Sequence, residues 1–200
     1  MRAIMYIEFL VEEYSTEVTL SIIVPKIIGS EHILKIHNFQ NKDRLLQRLP
    51  QRMQAYANFV TDDCRIVVLV DEDREDCIEL KKRLCEASSV VTKKKGNIVL
   101  HRIVVEELES WFLGDVPAIR AEYEKIPDSL SQQAKFRNPD AIKGGTWEQL
   151  DRILKKYGYE TGLQKSEFAQ RVTPHMDVEN NQSRSFQVFR DGLRRIINFV

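Results

Sequence analysis

The fold is decided by residues 65–76, which read RIVVLVDEDRED and pass directly from apolar residues into acids. Five apolar residues in a row, rich in Val and Ile, are typical of a strand that is buried on both faces, as in a parallel sheet. The acids begin where that strand should end, and open α/β sheets bind their ligands at the carboxyl ends of the strands. This stretch therefore predicts a buried strand that leads into a ligand site.

Two acids of this stretch are candidates for a metal site. Asp71 and Asp73 are two residues apart, so on an extended segment their side chains point to the same side. Two neighbouring carboxylates repel each other unless a cation or a proton lies between them. Mg²⁺ favours such oxygen ligands, and the pair therefore predicts a divalent-cation site.

The composition is that of a globular chain with balanced charge. Its 200 residues suit one domain, or one domain with an appended helical lobe, and are ample for a buried core. Charged residues make up 30% of the chain and the formal net charge is zero, so no overall basic field favours nucleic-acid binding by this chain alone. A partner that supplies the positive surface remains compatible with this composition.

The cysteines and the apolar segments indicate a compartment. Cys64, Cys77 and Cys85 are odd in number and lack the spacing of metal or redox motifs. Because the N-terminus also lacks a signal-peptide pattern, we expect reduced thiols in a cytoplasmic protein. No apolar stretch approaches the roughly 20 residues that span a bilayer, so we expect no membrane association.

Predicted strands and helices alternate along the first half of the chain. The strands are predicted at residues 3–11, 33–39, 65–70 and 98–105. The first helix is predicted at residues 15–28, with Ser15 or Thr16 as its cap and a break or kink at Pro25. The second follows a cap at Asn41 and has a kink or a new start at Pro50. The third is predicted at residues 77–87, and a basic turn follows at 93–96. This alternation predicts an α/β fold with a mainly parallel four-stranded sheet and helices on both faces.

The character of the chain changes after Asp115. Prolines and a Gly-Gly pair divide the second half into short helical pieces, with longer helices predicted at residues 147–157 and 183–200. Ser183 is the predicted N-cap of the last helix. We therefore expect an α/β core at residues 1–115 and a C-terminal helical cap at residues 116–200, packed on the core as one compact unit.

Acids follow three of the four predicted strands. In a parallel sheet these strand ends meet at one edge, and such an arrangement is what a divalent-metal phosphoryl-transfer site needs. The same acids would also favour the N-termini of the helices that follow. This simpler role is the one expected for Glu13, Glu72, Glu75 and Asp76. The metal role is expected for Asp71 and Asp73. In strand order, the acids are Glu12 and Glu13, then Asp71 and Asp73, then Glu106, Glu107 and Glu109.

Other common site patterns are absent from the sequence. It contains neither G-x-x-x-x-G-K-[ST] nor G-x-G-x-x-G, so a nucleotide-binding loop has little support. No Cys/His set has zinc spacing. An EF-hand needs glycine at the sixth loop position, where Asp76 stands. The acidic residues are therefore what remains to carry chemistry.

Four motifs spread over nearly the whole chain carry a family resemblance. They are VEEYSTE at 11–17, VDED at 70–73, EELESWFLGD at 106–115, and HMD followed by SRSF at 175–186. They resemble the motifs of a bacterial Toprim-like family, named only as a domain of unknown function, whose members are often encoded in mobile or anti-phage defence settings. Toprim domains occur in topoisomerases, primases and OLD-type nucleases, and their signature is a glutamate after the first strand and an Asp-x-Asp after the third.

The resemblance assigns the principal catalytic and metal-binding acids. Glu12 matches the Toprim glutamate, and Asp71 and Asp73 match the Asp-x-Asp pair. The chain departs from the usual pattern after Glu12, where Glu13 replaces glycine and Tyr14 stands at the place of an expected proline. Glycine lets a phosphate approach the backbone closely, so its loss argues against topoisomerase-like binding.

The resemblance also implies supporting residues. Glu17 resembles the second acid of the nuclease subgroup, and Glu107 and Glu109 match a Glu-x-Glu-x-Trp motif that would serve a second metal ion or its surroundings.

Three further residues each have two possible roles. Lys165 is a candidate for neutralising a transition-state phosphate, with a solvated charge as the alternative. His175 would either orient a phosphate or cap a turn. Trp111 is expected to anchor the sheet to the cap rather than to stack on a base.

Together these features imply a function with two alternatives. The first expectation is a Mg²⁺- or Mn²⁺-dependent Toprim-class nuclease that hydrolyses DNA or RNA by metal-activated water, as an effector of an anti-phage defence system. The alternative is a catalytically inactive Toprim-like module that binds and regulates a partner ATPase. A structural protein with an acidic rim is the third reading, and it requires that Glu12, Asp71 and Glu107 do not converge.

Overall fold

The centre of the molecule is a parallel β-sheet. The computed structural model describes residues 4–73, 75–159 and 164–198. The four strands are β1 (Tyr6–Val11), β2 (Ile33–Asn38), β3 (Cys64–Asp71) and β4 (Val99–Val104). They lie in the order β2-β1-β3-β4, and all three neighbouring pairs are parallel. The predicted α/β fold with a four-stranded parallel sheet is therefore confirmed.

Strand β3 is the inner strand that the apolar run predicted. It pairs with β1 on one side and β4 on the other, and all eight of its residues are buried. Ile66, Val68 and Val70 belong to the core on one face of the sheet, whereas Val67 and Leu69 belong to the core on the other. A strand covered on both faces needs apolar residues at successive positions, which is why the run does not alternate.

Three helices connect the strands: α1 (Tyr14–Ile28), α2 (Lys42–Phe59) and α3 (Cys77–Lys95). Helices α2 and α3 pack against each other on one face of the sheet, and α1 covers the other face together with the C-terminal half. Helices α1 and α2 continue through Pro25 and Pro50, so neither proline ends a helix.

The helix starts agree only in part with the sequence predictions. Asn41 accepts a hydrogen bond from the Arg44 N–H and Asp76 accepts from two N–H groups of α3, which confirms both as caps. The predicted cap of α1 at Ser15 or Thr16 is wrong, because the helix already begins at Tyr14 and Ser15 instead donates its hydroxyl to Glu13.

The predicted basic turn at residues 93–96 is also wrong. Lys93, Lys94 and Lys95 form the last turn of α3, and the helix ends at Gly96, whose φ of 76° glycine adopts without steric cost. Three cations in a last turn suit the negative end of the helix dipole. The run was therefore a helix end rather than a loop.

The C-terminal half is a helical cap. Its helices are α4 (Glu109–Leu113), α5 (Val116–Glu122), α6 (Thr146–Lys156), α7 (Lys165–Val172) and α8 (Arg184–Ile197), with 3₁₀ turns at Asp128–Gln132, Pro139–Ala141 and Thr173–His175. Ser183 caps α8 as predicted, accepting from the Phe186 N–H. The predicted ends at residues 3 and 200 lie outside the described residues, as does Arg74. Every helix among the described residues is too short or too polar to span a bilayer.

The cap is joined to the sheet through one buried aromatic cluster. Helix α1 packs on α7 and α8, and α8 also packs on β4. Trp111 is fully buried, its ring lies 5.2 Å from Phe186 and 4.9 Å from Phe189, and its Nε1 donates to Ser185 Oγ at 3.0 Å. This confirms Trp111 as the anchor between sheet and cap.

Candidate functional site

The carboxyl ends of β1 and β3 bring Glu12 and Asp71 together. Val11, the last residue of β1, pairs with Leu69 of β3. Strand β3 continues for two more residues and ends at Asp71. The Asp71 backbone N–H donates to the Glu12 side chain. Both residues are buried, at 4% and 5% exposure. The parallel register alone therefore accounts for this contact.

Burial controls the ionisation of the pair Glu12 and Asp71. Burial raises the pKa of Glu12 to about 7, against the lowering effect of the Asp71 N–H and of Lys42. Burial also raises the pKa of Asp71 well above its usual range, and the negative charges of Glu12 and Glu109 add to this effect. Near neutral pH the two acids therefore compete for protons instead of standing as two full charges.

Asp73 differs from Asp71 in backbone conformation and exposure. Its φ of 50° turns the chain out of the extended conformation, its side chain is 48% exposed, and its N–H donates to the Glu106 carbonyl at 3.2 Å. Aspartate tolerates this left-handed region better than most residues. The extended segment that the prediction assumed therefore ends between Asp71 and Asp73, while burial and, to a smaller extent, the charge of Asp73 raise the pKa of Asp71.

Lys42 holds Asp73 in place and was missed by the sequence reasoning. Its Nζ lies 2.9 Å from Asp73 Oδ2 and 3.2 Å from Glu75 Oε1, and donates to the Glu72 carbonyl at 3.1 Å. Burial would lower the pKa of Lys42, but Asp73 and Glu75 raise it on balance. A signal existed: Lys42 opens the helix after β2, so the fold places it at the same sheet edge.

Lys165 joins the cap to the acids that follow β1 and β4. The first residue of α7, it places its Nζ 3.4 Å from Glu107 Oε1, 3.7 Å from Glu109 Oε2 and 3.9 Å from Glu13 Oε2. Burial would lower its pKa, but the carboxylates of Glu109, Glu13 and Glu107 raise it. The expected alternative of a solvated charge is thus replaced by a half-buried ion-pair centre.

Glu107 and Glu109 have different surroundings. Glu109 is 1% exposed, burial raises its pKa to about 7 against the effect of Lys165, and its Oε2 has no hydrogen-bond partner. Glu107 accepts from the Trp147 N–H and the Thr146 hydroxyl, both at 3.1 Å, and these bonds with Lys165 lower its pKa although burial opposes them. Glu109 is therefore the carboxylate with an unused oxygen, and Glu107 caps α6.

Two predicted residues bond to partners outside this cluster. Glu17, in the first turn of α1, accepts from Asn38 Nδ2 at 3.3 Å. His175 Nε2 lies 2.8 Å from Glu122 Oε1, and both of these side chains are partly exposed. No hydrogen bond or ion pair of the described residues joins Glu17 or His175 to Glu12 or Asp71. Glu17 lies at the same sheet edge as Glu12, because its partner Asn38 pairs with Val11, whereas His175 lies in the cap.

The cluster opens to solvent through an acidic cleft. This cleft has a volume of about 280 Å³ and is lined by Asp73, Glu106, Glu107, Gly145 and Glu148. The lining combines the loops after β3 and β4 with the start of α6. Any molecule that enters it meets negative charge first, which favours cations and disfavours an anion that arrives without one.

The donor chemistry of the site fits a hard divalent cation. Its candidate ligands are all carboxylates, Glu109 Oε2 is buried without a hydrogen bond, and burial raises the pKa of Glu12 and of Asp71. Among residues 4–73, 75–159 and 164–198, no three His, Cys, Asp or Glu side chains surround one point as ligands would. Hydrogen bonds and two lysines hold the acids in this arrangement.

The comparisons with known proteins identify a family without a described activity. Neither the curated proteins nor the solved structures contain a match to this chain. The family model described as Domain of unknown function (DUF4276) matches residues 11–194, from the last residue of β1 to near the end of α8. The matched range includes every acid of the cluster and both lysines. The chain therefore belongs to the DUF4276 family.

Proposed function

We propose that the protein is a Toprim-like, metal-dependent nuclease that hydrolyses phosphodiester bonds in DNA or RNA, as an effector of an anti-phage defence system. The observation that carries this proposal is the cluster of buried acids at the ends of β1 and β3 and just after β4, whose pKa values burial raises. The order of the four sequence motifs and the likeness to OLD-type nucleases add support. The cleft beside the cluster provides access for a substrate.

The proposed roles follow from the surroundings of each residue. Glu12, Asp71 and Asp73 would hold the principal Mg²⁺ or Mn²⁺ ion, and Glu109 would offer the oxygen that accepts no hydrogen bond to a second one. When bound, such an ion polarises a phosphate and lowers the pKa of an attacking water. Lys165 holds Glu107 and Glu109 in position and keeps one positive charge beside the acids.

Ionisation of the acids sets when the site can accept a cation. Because burial raises the pKa of Glu12 and of Glu109 to about 7, each gives up its proton only around neutral pH. A cation then competes with these protons, so its binding strengthens as pH rises through 7. Metal-dependent cleavage should therefore be fastest at neutral to alkaline pH.

The proposal is tested by Asp71→Asn. Metal-dependent cleavage of labelled single-stranded DNA and RNA should fall at least roughly a hundred-fold, since even changes beyond the ligands of a metal cost up to about that much. The fold should persist, because the amide removes a buried charge and keeps the shape. The substrates are incubated with Mg²⁺, with Mn²⁺ and with a chelator.

Asp62→Asn is the matched control. Asp62 is exposed, makes no side-chain hydrogen bond or ion pair among the described residues, and lies just before β3 at the opposite edge of the sheet. The same chemical change there should leave cleavage unchanged. Cleavage by Asp71→Asn at the rate of the unmodified protein would refute the nuclease proposal.

A second candidate function has its own observation. Lys42 and Lys165 already form ion pairs with Asp73, Glu107 and Glu109, which is how a module that has lost its metal would hold its acids. Such a module would bind and regulate a partner ATPase. Titration calorimetry separates the two: a nuclease takes up Mn²⁺ with an affinity that Asp71→Asn removes, whereas an inactive module shows no such affinity.

The third hypothesis, a structural protein with an acidic rim, has a requirement that this arrangement of acids does not meet. It required that the acids after β1, β3 and β4 stay apart. Glu12 instead contacts Asp71, and Lys165 lies between the acids that follow β1 and β4. We therefore do not pursue it.

A further inference from the structure

Helix α2 carries a row of arginines with no acidic partners. Arg44, Arg48 and Arg52 are four residues apart and therefore lie on one side of the helix; we call them the α2 arginine stripe. Within the described ranges 4–73, 75–159 and 164–198, none of them lies within ion-pair distance of a carboxylate. In a chain whose net charge is zero, this stripe is a local positive surface.

A pocket lies against the stripe. It has a volume of about 340 Å³ and is lined by Phe39, Arg48, Gln51, Arg52 and Ala55. Arg52 is partly buried, and its Nη2 lies 2.8 Å from His37 Nδ1. Its Nε is fully buried without a hydrogen-bond partner. The pocket thus combines two guanidinium groups and an aromatic ring.

The pocket adjoins the candidate site on the β2 side. The Phe39 N–H donates to the Val11 carbonyl at 2.9 Å, and Val11 immediately precedes Glu12. At the start of the same helix α2, Lys42 lies 2.9 Å from Asp73. The stripe therefore begins beside the acidic cluster and leads away from it along the helix.

The spacing of the stripe suits a chain of phosphates. With a rise of about 1.5 Å per residue, successive arginines of the stripe are about 6 Å apart along the helix axis. Arginine binds phosphate through paired N–H donors. Grooves that bind single-stranded nucleic acid combine such cations along the backbone with aromatic rings on which bases stack.

We propose that the α2 arginine stripe and its pocket bind a single-stranded nucleic acid, with phosphates on Arg44, Arg48 and Arg52 and a base against Phe39. This assignment deepens the proposed nuclease function and rests on it for its biological meaning. Duplexes have stacked bases that the ring of Phe39 cannot reach, which is why a single strand is the expected ligand.

The test measures binding without cleavage. A fluorescein-labelled oligothymidylate is titrated with the protein in the presence of a chelator, and its anisotropy reports the dissociation constant. Arg48→Glu should weaken binding by roughly ten-fold or more, because it removes one phosphate contact and adds repulsion. The slope of the logarithm of the binding constant against the logarithm of the salt concentration should also become shallower by about 0.7, the value expected for one phosphate contact in a single strand.

Lys93→Glu is the matched control, since it changes the charge by the same amount on another exposed helix position. Lys93 lies in the last turn of α3, which leads into the amino end of β4 and thus to the opposite edge of the sheet. Binding by Lys93→Glu should equal that of the unmodified protein. Equal weakening by both variants, or no oligonucleotide binding at all, would overturn the assignment.

Two further measurements identify the ligand. Phe39→Leu keeps an apolar side chain but should weaken oligonucleotide binding roughly five-fold through lost stacking. Pyrophosphate should compete only weakly, whereas competition as strong as that of the strand, or equal binding of a duplex, would contradict a single-strand site. Binding lost in Arg48→Glu together with a total absence of metal-dependent cleavage would refute the nuclease proposal and leave this binding site standing.

Discussion

Burial sets the ionisation of the central carboxylates more strongly than any single neighbouring charge. It is the largest influence on Glu12, Asp71 and Glu109, and it raises the pKa of each. Lys165 opposes this effect at Glu109, and Lys42 opposes it at Glu12, without cancelling it. Burial makes the charged form of such an acid unfavourable, and a bound cation would stabilise that charged form.

This residue-level effect predicts how stability depends on pH. Folding raises the pKa of Glu109 from 4.5 to about 7, so between these values the folded chain holds more protons than the unfolded chain, and stability falls as pH rises. The loss at Glu109 should be of the order of 3 kcal/mol by pH 8. Urea unfolding at pH 5 and pH 8 measures it, and Glu109→Gln should reduce the difference between the two.

Glu86→Gln serves as the control for this prediction, because Glu86 is exposed on α3. It should keep the full pH dependence of the unmodified protein. If Glu109→Gln kept it as well, the buried carboxylate would not be its source. Mn²⁺ should restore stability at pH 8 if the acids bind it.

Among the elements, the start of α6 depends on a residue from outside the helix. Its N-cap is Gly145, which has no side chain to accept a hydrogen bond, and Glu107 takes over this role by accepting from the Trp147 N–H and the Thr146 hydroxyl. The carboxylate also suits the positive end of the helix dipole. Glu107, which follows β4, thereby stabilises the start of a helix at Trp147, 40 residues further along the chain.

Removal of this carboxylate should loosen α6. Glu107→Ala is expected to cost about 1–2 kcal/mol in the free energy of unfolding, as for the loss of other helix caps. Amide hydrogen exchange should accelerate in the first turn of α6, starting at Trp147. Glu148→Ala, which removes an exposed carboxylate of that same turn, should leave both measurements nearly unchanged, and an equal effect of the two changes would argue against the capping role.

At the scale of the whole molecule, the core and the cap share one apolar cluster. It runs from Ile7 and Phe9 of β1 through Trp111 to Phe186 and Phe189 of α8. Lys165 of the cap adds an ionic connection to the acids of the sheet edge. The expected boundary near residue 115 therefore separates two parts of one packed unit, and we predict that they unfold together.

Trp111→Ala tests this prediction. The loss of a fully buried indole should cost about 3–5 kcal/mol, whereas Trp111→Phe should cost less because it keeps a ring against Phe186 and Phe189. Thermal unfolding is followed by far-ultraviolet circular dichroism and by the fluorescence of Trp147, which lies in the cap. Coincident transitions are expected in each variant, and a separate earlier transition of Trp147 would show that the cap unfolds on its own.

Local patterns were sufficient for most of the fold. The apolar run at 66–70 indicated an inner parallel strand because only burial on both faces favours apolar residues at successive positions. The caps at Asn41 and Ser183 were also predictable, since each depends on one side chain and the backbone two or three residues further on. The end of α3 was misjudged because a run of lysines suits a last helical turn as well as a loop.

The sequence by itself indicated the parallel sheet and placed Glu12 and Asp71 at the ends of two strands, because the alternation of strands and helices is a local property of the chain. Only the tertiary structure decided which cations pair with the acids around them. Lys42 and Lys165 reach the acids from helices that follow other segments, and the separation of 58 residues between Lys165 and Glu107 leaves no local trace. Ion pairs of this kind depend on packing between distant elements, so they appear only when the whole chain has folded.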